Sequence, residues 1–387
     1  MTEATLSFQS FRVWQVVVPA RSDILSAPAK DSPVYSASIS WPEMPIYLVE
    51  GRTSAGFTAV GECGRGTSRA TVEATLHDLL GRNLLHVTPA TIWQHGYEAS
   101  GLPATYTLPS WEVAGGRSYA LMEALWLDAV GRAGGMPAHQ LLGGAVREQV
   151  AVDFWANRPA APTLLALIHE AAELGLTGMK MKCNRFGDTV HALRSIAADI
   201  PAGFRFTIDP MYAWRSMREA APLFAMLAEL PFAFQIEDPF PFQAVDEWHK
   251  AHQFPSLTIA CHTRTEDVLR VALRENYADT YNLGGGSSYN FVRTGHIAEF
   301  AHKDCWHGSA LELGVLQHVR LHAAACVRNC LLPSDLQSEW VREETLVTPH
   351  MAYAGNTALV PTRPGLGIDL DYEAMQPYIQ EEFAIEA

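Results

Sequence analysis

The sequence predicts an α/β barrel preceded by an N-terminal α+β unit, and three observations lead there. From about residue 150 to residue 333, short apolar runs alternate with amphipathic helical patterns, as βα units on a parallel sheet require. These runs end on polar or ionisable residues, Asp153, Lys182, Asp209, Glu237, His262, Asn282 and His307, which fits a closed barrel better than an open doubly wound sheet. The chain is also large enough: 387 residues, 48% of them apolar, provide one large core with a smaller companion.

Residues 1–135 form the α+β unit. Apolar runs at Phe11–Val18 and Ile46–Glu50 predict strands, and the glycines of GFTAVGECGRG (56–66) mark a hairpin and a turn. Between Arg117 and Ala133, Leu121, Ala124, Leu125 and Trp126 recur at helical spacing, and Gly134-Gly135 supplies the stop. HQLLGGAVREQV (139–150) is a second turn and boundary, so the barrel is placed over 136–345. The tail, 346–387, contains NTALVPTRPGLGIDLD, an extended Pro/Gly-punctuated segment expected to pack back on the first unit. No internal repeat is visible, and GGGSS (284–288) lacks the Lys-Ser/Thr of a nucleotide loop.

Composition excludes some partners. With 42 acidic against 28 basic residues the formal charge is −14, which repels nucleic acid and anionic membranes in the absence of a segregated basic patch. No apolar stretch approaches the ~20 residues of a membrane span, and MTEATLSFQS lacks the basic and apolar regions of a signal peptide. A cytoplasmic location is the expectation. The six cysteines, at 63, 183, 261, 305, 326 and 330, lack the close pairing of a disulfide framework or zinc site and are read as reduced thiols. Cys326 and Cys330 share a helix face, but this pair alone is no metal-site pattern.

The chemistry lies in four strand ends: GMKMKCN (178–184), FTIDP (206–210), FQIEDP (234–239) and TIACHT (258–263). Strand alternation turns Lys180 and Lys182 together into the barrel and Met179 and Met181 toward the helices. Desolvation and mutual repulsion lower a lysine pKa, which prepares one of the pair as a general base. Asp209 and Glu237 end neighbouring strands in apolar surroundings and need cations, either a metal such as Mg²⁺ or the two lysines themselves. A metal there would stabilise the enediolate formed when a lysine removes a proton next to a carboxylate. His262 stands where a third carboxylate would be expected. As a metal ligand it would favour Mn²⁺, Fe²⁺ or Zn²⁺ over Mg²⁺; otherwise it acts on substrate, or merely fills space.

These motifs carry a resemblance over nearly the whole chain. The Lys-x-Lys pair, the IDP and IEDP strands, SYALMEALWLDAVGRAGGMPAHQLLGG, RPGLGIDLD and HGSALELGVLQHVRLHAAACVRN together resemble the enolase superfamily, in its mandelate racemase/muconate lactonizing enzyme branch. The resemblance implies a modified TIM barrel, (β/α)₇β, under an α+β capping domain closed by the C-terminal tail. It also implies Mg²⁺-assisted proton abstraction α to the carboxylate of a small substrate, in a homo-oligomer.

Position by position, Lys182 matches the catalytic base, Lys180 the lysine touching the substrate carboxylate, and Asp209, Glu237 and His262 the three metal ligands. His307 lies close to the second acid/base of the racemase type, and a one-residue shift would turn it to the other face. Glu312 belongs to the segment similar to the muconate lactonizing type. Asn282 and Trp306 are candidates for the pocket lining and Arg264 for a substrate carboxylate. Tyr35 and Trp41 lie on the segment Arg21–Pro45, where relatives carry a specificity lid. His318 and His322 are read as structural. The sixth strand lacks the second lysine of the lactonizing branch. The expectation is a dehydratase of a small hydroxy acid, with a racemase, a cycloisomerase or a non-catalytic carboxylate-binding barrel as rivals.

Overall fold

The computed structural model describes residues 5–25, 45–64, 66–88, 90–92, 113–114, 117–263, 265–284 and 287–386. Arg264, Tyr35 and Trp41 lie outside them.

The N-terminal unit is an antiparallel sheet backed by helices. Strands β1 (Phe8–Val16), β2 (Ile46–Thr53) and β3 (Thr58–Glu62) pair in sequence, and Gly56, at φ +89°, makes the β2–β3 turn. Only glycine adopts that backbone without strain. Helix α1 (Arg69–Leu79) starts at Ser68, whose hydroxyl accepts from Thr71 N. Helix α2 (Tyr119–Gly134) is capped by Ser118 and stopped by Gly135 at φ +64°. α2 is buried almost all round, including Glu123 and Asp128, because it lies between the cap sheet and the barrel.

Seven parallel strands follow: β4 (Phe154–Ala156), β5 (Gly178–Lys182), β6 (Arg205–Asp209), β7 (Ala233–Glu237), β8 (Leu257–His262), β9 (Thr280–Asn282) and β10 (Asp304–Trp306). They are hydrogen-bonded in chain order. The helices between and after them are α3 (Ala161–Glu173), α4 (Asp188–Ile196), α5 (Met217–Ala228), α6 (Val245–Ala251), α7 (Glu266–Arg274), α8 (Ser288–Phe300) and α9 (Gly314–Ala325). An extended segment around Ser334 joins the two ends of the sheet: Ser334 N donates to Ala151 O at 2.7 Å and Asp335 N to His307 O at 2.8 Å. It takes the place of the eighth strand, giving the modified TIM barrel under its cap. No described helix is long and apolar enough to cross a membrane. The tail ends in β11 (Ile379–Glu386), which pairs antiparallel with β1, so the chain returns to the sheet where it began.

One expected strand end is corrected. Asp153 precedes β4 rather than ending it, and binds Arg205 Nη2 at 2.6 Å at the start of β6. The register explains this, since Trp155 lies opposite Lys180 and Lys182 N bonds Asn157 O, which moves the reactive level four residues on.

Buried carboxylates join cap to barrel. Glu62, at the end of β3, accepts from Leu313 N at 2.7 Å and Leu316 N at 2.9 Å, and so caps α9 from another part of the chain. Glu123 on α2 does the same for α8, accepting from Ser288 N and Tyr289 N. Asp128 binds Val60 N, Leu366 N and Arg132, tying β3 to the tail; Gly365 is required there, because a Cβ would lie 2.1 Å from Asp128 Oδ1. In Glu62→Gln one oxygen becomes an NH₂ facing a backbone N–H, so a loss of roughly 2–3 kcal/mol is expected in urea unfolding. A loss below about 0.5 kcal/mol would show that this cap contributes nothing.

Candidate active site

Alternation along the barrel strands builds two polar layers inside the ring. The deeper one contains Lys180, Thr207, Gln235 and Thr280, with Thr280 Oγ1 donating to Gln235 Oε1 at 3.0 Å. The upper one, at the carboxyl ends, contains Lys182, Asp209, Glu237, His262, Asn282 and Trp306, the last three in register on β8, β9 and β10. Sequence reading had placed all six of these at the mouth or in the pocket wall. The barrel brings them together.

The lysines do not face one another as bare charges. Lys182 Nζ is hydrogen-bonded to Asp209 Oδ2, whose other oxygen accepts from Met211 N at 2.9 Å. Lys180 Nζ lies 2.8 Å from both Asp335 Oδ2 and Glu237 Oε2, and 5.7 Å from the Trp306 ring centroid. Burial alone would lower the Lys180 pKa, but Asp335, Glu237 and Asp209 outweigh it and raise the value above the ordinary lysine range. The expectation of a pKa lowered by like-charge repulsion is therefore corrected for Lys180, which is a fixed cation. Burial pushes the Glu237 carboxyl up, opposed by Lys180.

Asp335 is the residue that sequence reading missed. It sits on the irregular closing segment, where no apolar alternation marks a strand. Its contact with Lys180 spans 155 positions of the chain, a pairing without local signal.

The β7–β8 side carries a second cluster. Ligand atoms of Glu237, Asp238 and His262 all lie within 4.8 Å of one another. Asp238 was quoted within FQIEDP but given no role; its φ of +50° breaks strand alternation, so two successive acidic side chains reach the same site. Asp209, expected as a ligand, is not among these three; its two oxygens meet Lys182 Nζ and Met211 N. His262 Nε2 bonds Gly284 O at 2.7 Å, and its Nδ1 lies 3.9 Å from Glu237 Oε1. Two carboxylates and one imidazole, buried together at a barrel mouth, fit a divalent cation.

Asn282 is committed to the wall. Its Nδ2 donates to Glu237 Oε1 at 2.8 Å and its Oδ1 accepts from Gly284 N at 2.8 Å. Trp306 is 1% exposed and faces the interior above Lys180. His307, next in sequence, turns the other way. Its ring stacks on Phe291 of α8 with centroids 4.2 Å apart, and its Nδ1 donates to Gly308 O. Burial, reinforced by the Arg320 charge, lowers its pKa to about 3, so the ring is neutral. This geometry gives no support to His307 as a second acid/base, since alternation after the inward-facing Trp306 sends it to the helix layer. Glu312 is likewise locked in the wall: Ala310 N, the Ser309 hydroxyl, Gln317 Nε2 and Arg320 all donate to it, and its pKa falls to about 2 against the effect of burial. Nothing in that arrangement leaves an oxygen for substrate, so the expectation for Glu312 is not carried further.

Comparison with known proteins agrees with this architecture. A family model described as "Enolase C-terminal domain-like" matches residues 163–375. The chain belongs to the enolase superfamily. The model is that of its mandelate racemase/muconate lactonizing branch. Among curated relatives of this superfamily member, a probable glucarate dehydratase from Streptomyces coelicolor is 28% identical over 65% of this chain; the match spans 63% of that protein. A chloromuconate cycloisomerase from Cupriavidus pinatubonensis is 26% identical over 84% of this chain and 88% of its own. In overall fold, an N-succinyl Arg/Lys racemase from Bacillus cereus superposes with a TM-score of 0.75 at 18% identity, covering 99% of this chain and 100% of that one. That likeness concerns the fold alone.

Proposed function

We propose that this superfamily member is a lyase that removes water from a small hydroxy acid, with Lys182 as the base that takes the α-proton. The observation that carries the reading is one-sidedness. Among the described residues, Lys182 stands at the mouth on β5, while the end of β9 offers the committed amide of Asn282, and His307 faces the helix layer. A base on one face suffices for syn elimination, whereas racemization needs acid/base groups on both faces of the substrate.

Within this reading Lys180, held cationic by Asp335 and Glu237, binds the substrate carboxylate. Asp209 orients Lys182 and supports its charge after proton uptake. Lys182 then returns the proton to the departing hydroxyl, which closes the proton balance without a second group. Glu237, Asp238 and His262 would hold a divalent cation, which supplies Lewis-acid stabilisation of the negative charge developing on the substrate carboxylate. The curated dehydratase among the relatives supports a lyase; the curated cycloisomerase supports the isomerase alternative.

The test is incubation of the intact chain, with divalent metal, against a panel of small hydroxy acids in D₂O. From a 2,3-dihydroxy acid of the panel, elimination leaves an enol that tautomerises to a 2-keto acid carrying one solvent deuterium at the carbon that lost the hydroxyl, and this is the expected product. Exchange of the α-proton with inversion and no keto acid would overturn elimination in favour of racemization.

A further inference from the structure

Cys305 on β10 and Cys330, on the turn that leads from α9 into the closing segment, are buried free thiols, and the Cys305 thiol is hydrogen-bonded to Cys330. The backbone fixes this pairing. Cys305 N donates to Asn329 O at 2.9 Å and Leu332 N donates to Cys305 O at 3.3 Å, so the turn around Cys330 is clamped onto β10. Cys330 Sγ also lies 3.6 Å from Ser334 Oγ, which accepts from His307 N at 3.1 Å. Arg147 holds the same turn, with Nη1 on Cys330 O and Nη2 on Val327 O at 3.0 Å and Arg328 O at 2.6 Å. Thiols buried in apolar surroundings are inert, and burial raises the pKa of Cys183, Cys261, Cys305 and Cys326. Cys330 goes the other way. The Cys305 thiol, together with Ser334 and the Arg147 charge, outweighs burial and lowers it. Solvent is close by. Asp304, Asn329 and Leu331, the chain neighbours of the two cysteines, line a surface hollow of about 330 Å³, and Arg147 and Arg328 line another of about 400 Å³.

We propose that Cys305 and Cys330 form a reversible oxidation site for hydrogen peroxide, closing into a disulfide that disturbs the hold of Asp335 on Lys180. Cys330 Sγ attacks one peroxide oxygen, the O–O bond breaks, the sulfur becomes a sulfenic acid, and the departing hydroxide takes the thiol proton to leave as water. Cys305 Sγ then attacks that sulfur, the S–OH bond breaks, and a second water carries away the Cys305 proton. Two thiols are oxidised and one peroxide is reduced; a dithiol reverses the cross-link by exchange. The consequence travels along the chain. In the disulfide Cys330 has neither hydrogen nor thiolate charge for Ser334, and the new bond draws it toward β10. Asp335 is the residue after Ser334, and its Oδ2 lies 2.8 Å from Lys180 Nζ. An effect on turnover rests on the reading of Lys180 as the lysine that binds the substrate carboxylate; the disulfide itself does not.

The experiment treats the reduced full-length chain with hydrogen peroxide, blocks the remaining thiols with iodoacetamide in denaturant, and maps peptides without reductant. The expected result is a cross-link from Cys305 to Cys330 that dithiothreitol removes. Hydrogen exchange at Ser334 and Asp335 is expected to rise with it, and kcat/KM on a substrate from the panel to fall by about 10-fold or more until reductant is added. Cys305→Ser, which has no resolving thiol, is expected to form no cross-link and to keep its exchange unchanged. The proposal is overturned if both wild-type thiols stay free, if Cys330 ends as a sulfinic acid without the cross-link, or if the cross-link leaves exchange and rate unchanged. The wild-type map decides even where the variant fails to fold. A cross-link with altered exchange, in a chain that turns over nothing even when reduced, would sink the lyase reading and leave the oxidation site standing.

Discussion

Replacing Lys182 by alanine is expected to lower kcat/KM by about 10²–10⁴-fold, the range for loss of a positioned general base. Asp209 loses its counter-ion in that variant, so some stability goes with it; Lys182 is 13% exposed, and the cost is smaller than for a fully dry pair. Circular dichroism establishes that the variant is folded before its rate is read at saturating divalent metal. Lys182→Ala with undiminished activity would remove the base from the mechanism. Carboxylate binding retained alongside a wild type that turns over nothing in the panel would favour the rival reading, a barrel that binds without catalysis.

The second large effect is one of pH and concerns a histidine outside the site. His322 on α9 is fully buried, with Nε2 3.2 Å from Leu366 O and its ring 5.5 Å from that of His139. Burial first, then the neighbouring His139 and His318, lower its pKa from 6.5 to about 3. The unfolded chain therefore takes up this proton near pH 6.5 while the folded chain refuses it until about pH 3. Stability from the neutral ring is complete above 6.5 and is lost as pH falls, at up to about 1.4 kcal/mol per pH unit. Buried carboxyls with raised pKa values, such as Asp153 at about 7, act in the opposite direction, so the wild type alone does not isolate the effect. The difference between wild type and His322→Gln does. The variant is expected to be the less stable at pH 7.5 and to gain on the wild type by roughly 3 kcal/mol by pH 4, measured as urea unfolding free energies. A pH-independent difference would mean that His322 already titrates normally in the fold.

Much of the site was legible because strand alternation is a strict rule. Lys180, Lys182, Asp209, Glu237, His262, Asn282 and Trp306 all share the barrel interior, as their spacing within short apolar runs required. The same rule undid the expectation at His307, one position past the inward-facing Trp306. Asp238 escaped because a positive φ suspends the rule there, and backbone strain of that kind has no signature in a Glu-Asp-Pro string. The helix caps were hidden for a different reason. Glu62 and Glu123 satisfy the N-termini of α9 and α8, more than 160 positions away, so no local pattern announces them.

By itself the sequence determined the barrel, its cap, the returning tail and the class of side chain at each strand end. These depend on periodicity and on the transfer energetics of apolar runs, both local properties of the chain. Only the tertiary structure decided which charges meet. Lys180 became a fixed cation because barrel closure carried Asp335 across the seam to it, and the carboxylates grouped with His262 are Glu237 and Asp238, at the end of the adjacent strand, while Asp209, two strands away, meets Lys182. Electrostatic energies fall off over a few ångströms in a buried site, so the roles of like residues are set by distances that only the closed ring defines.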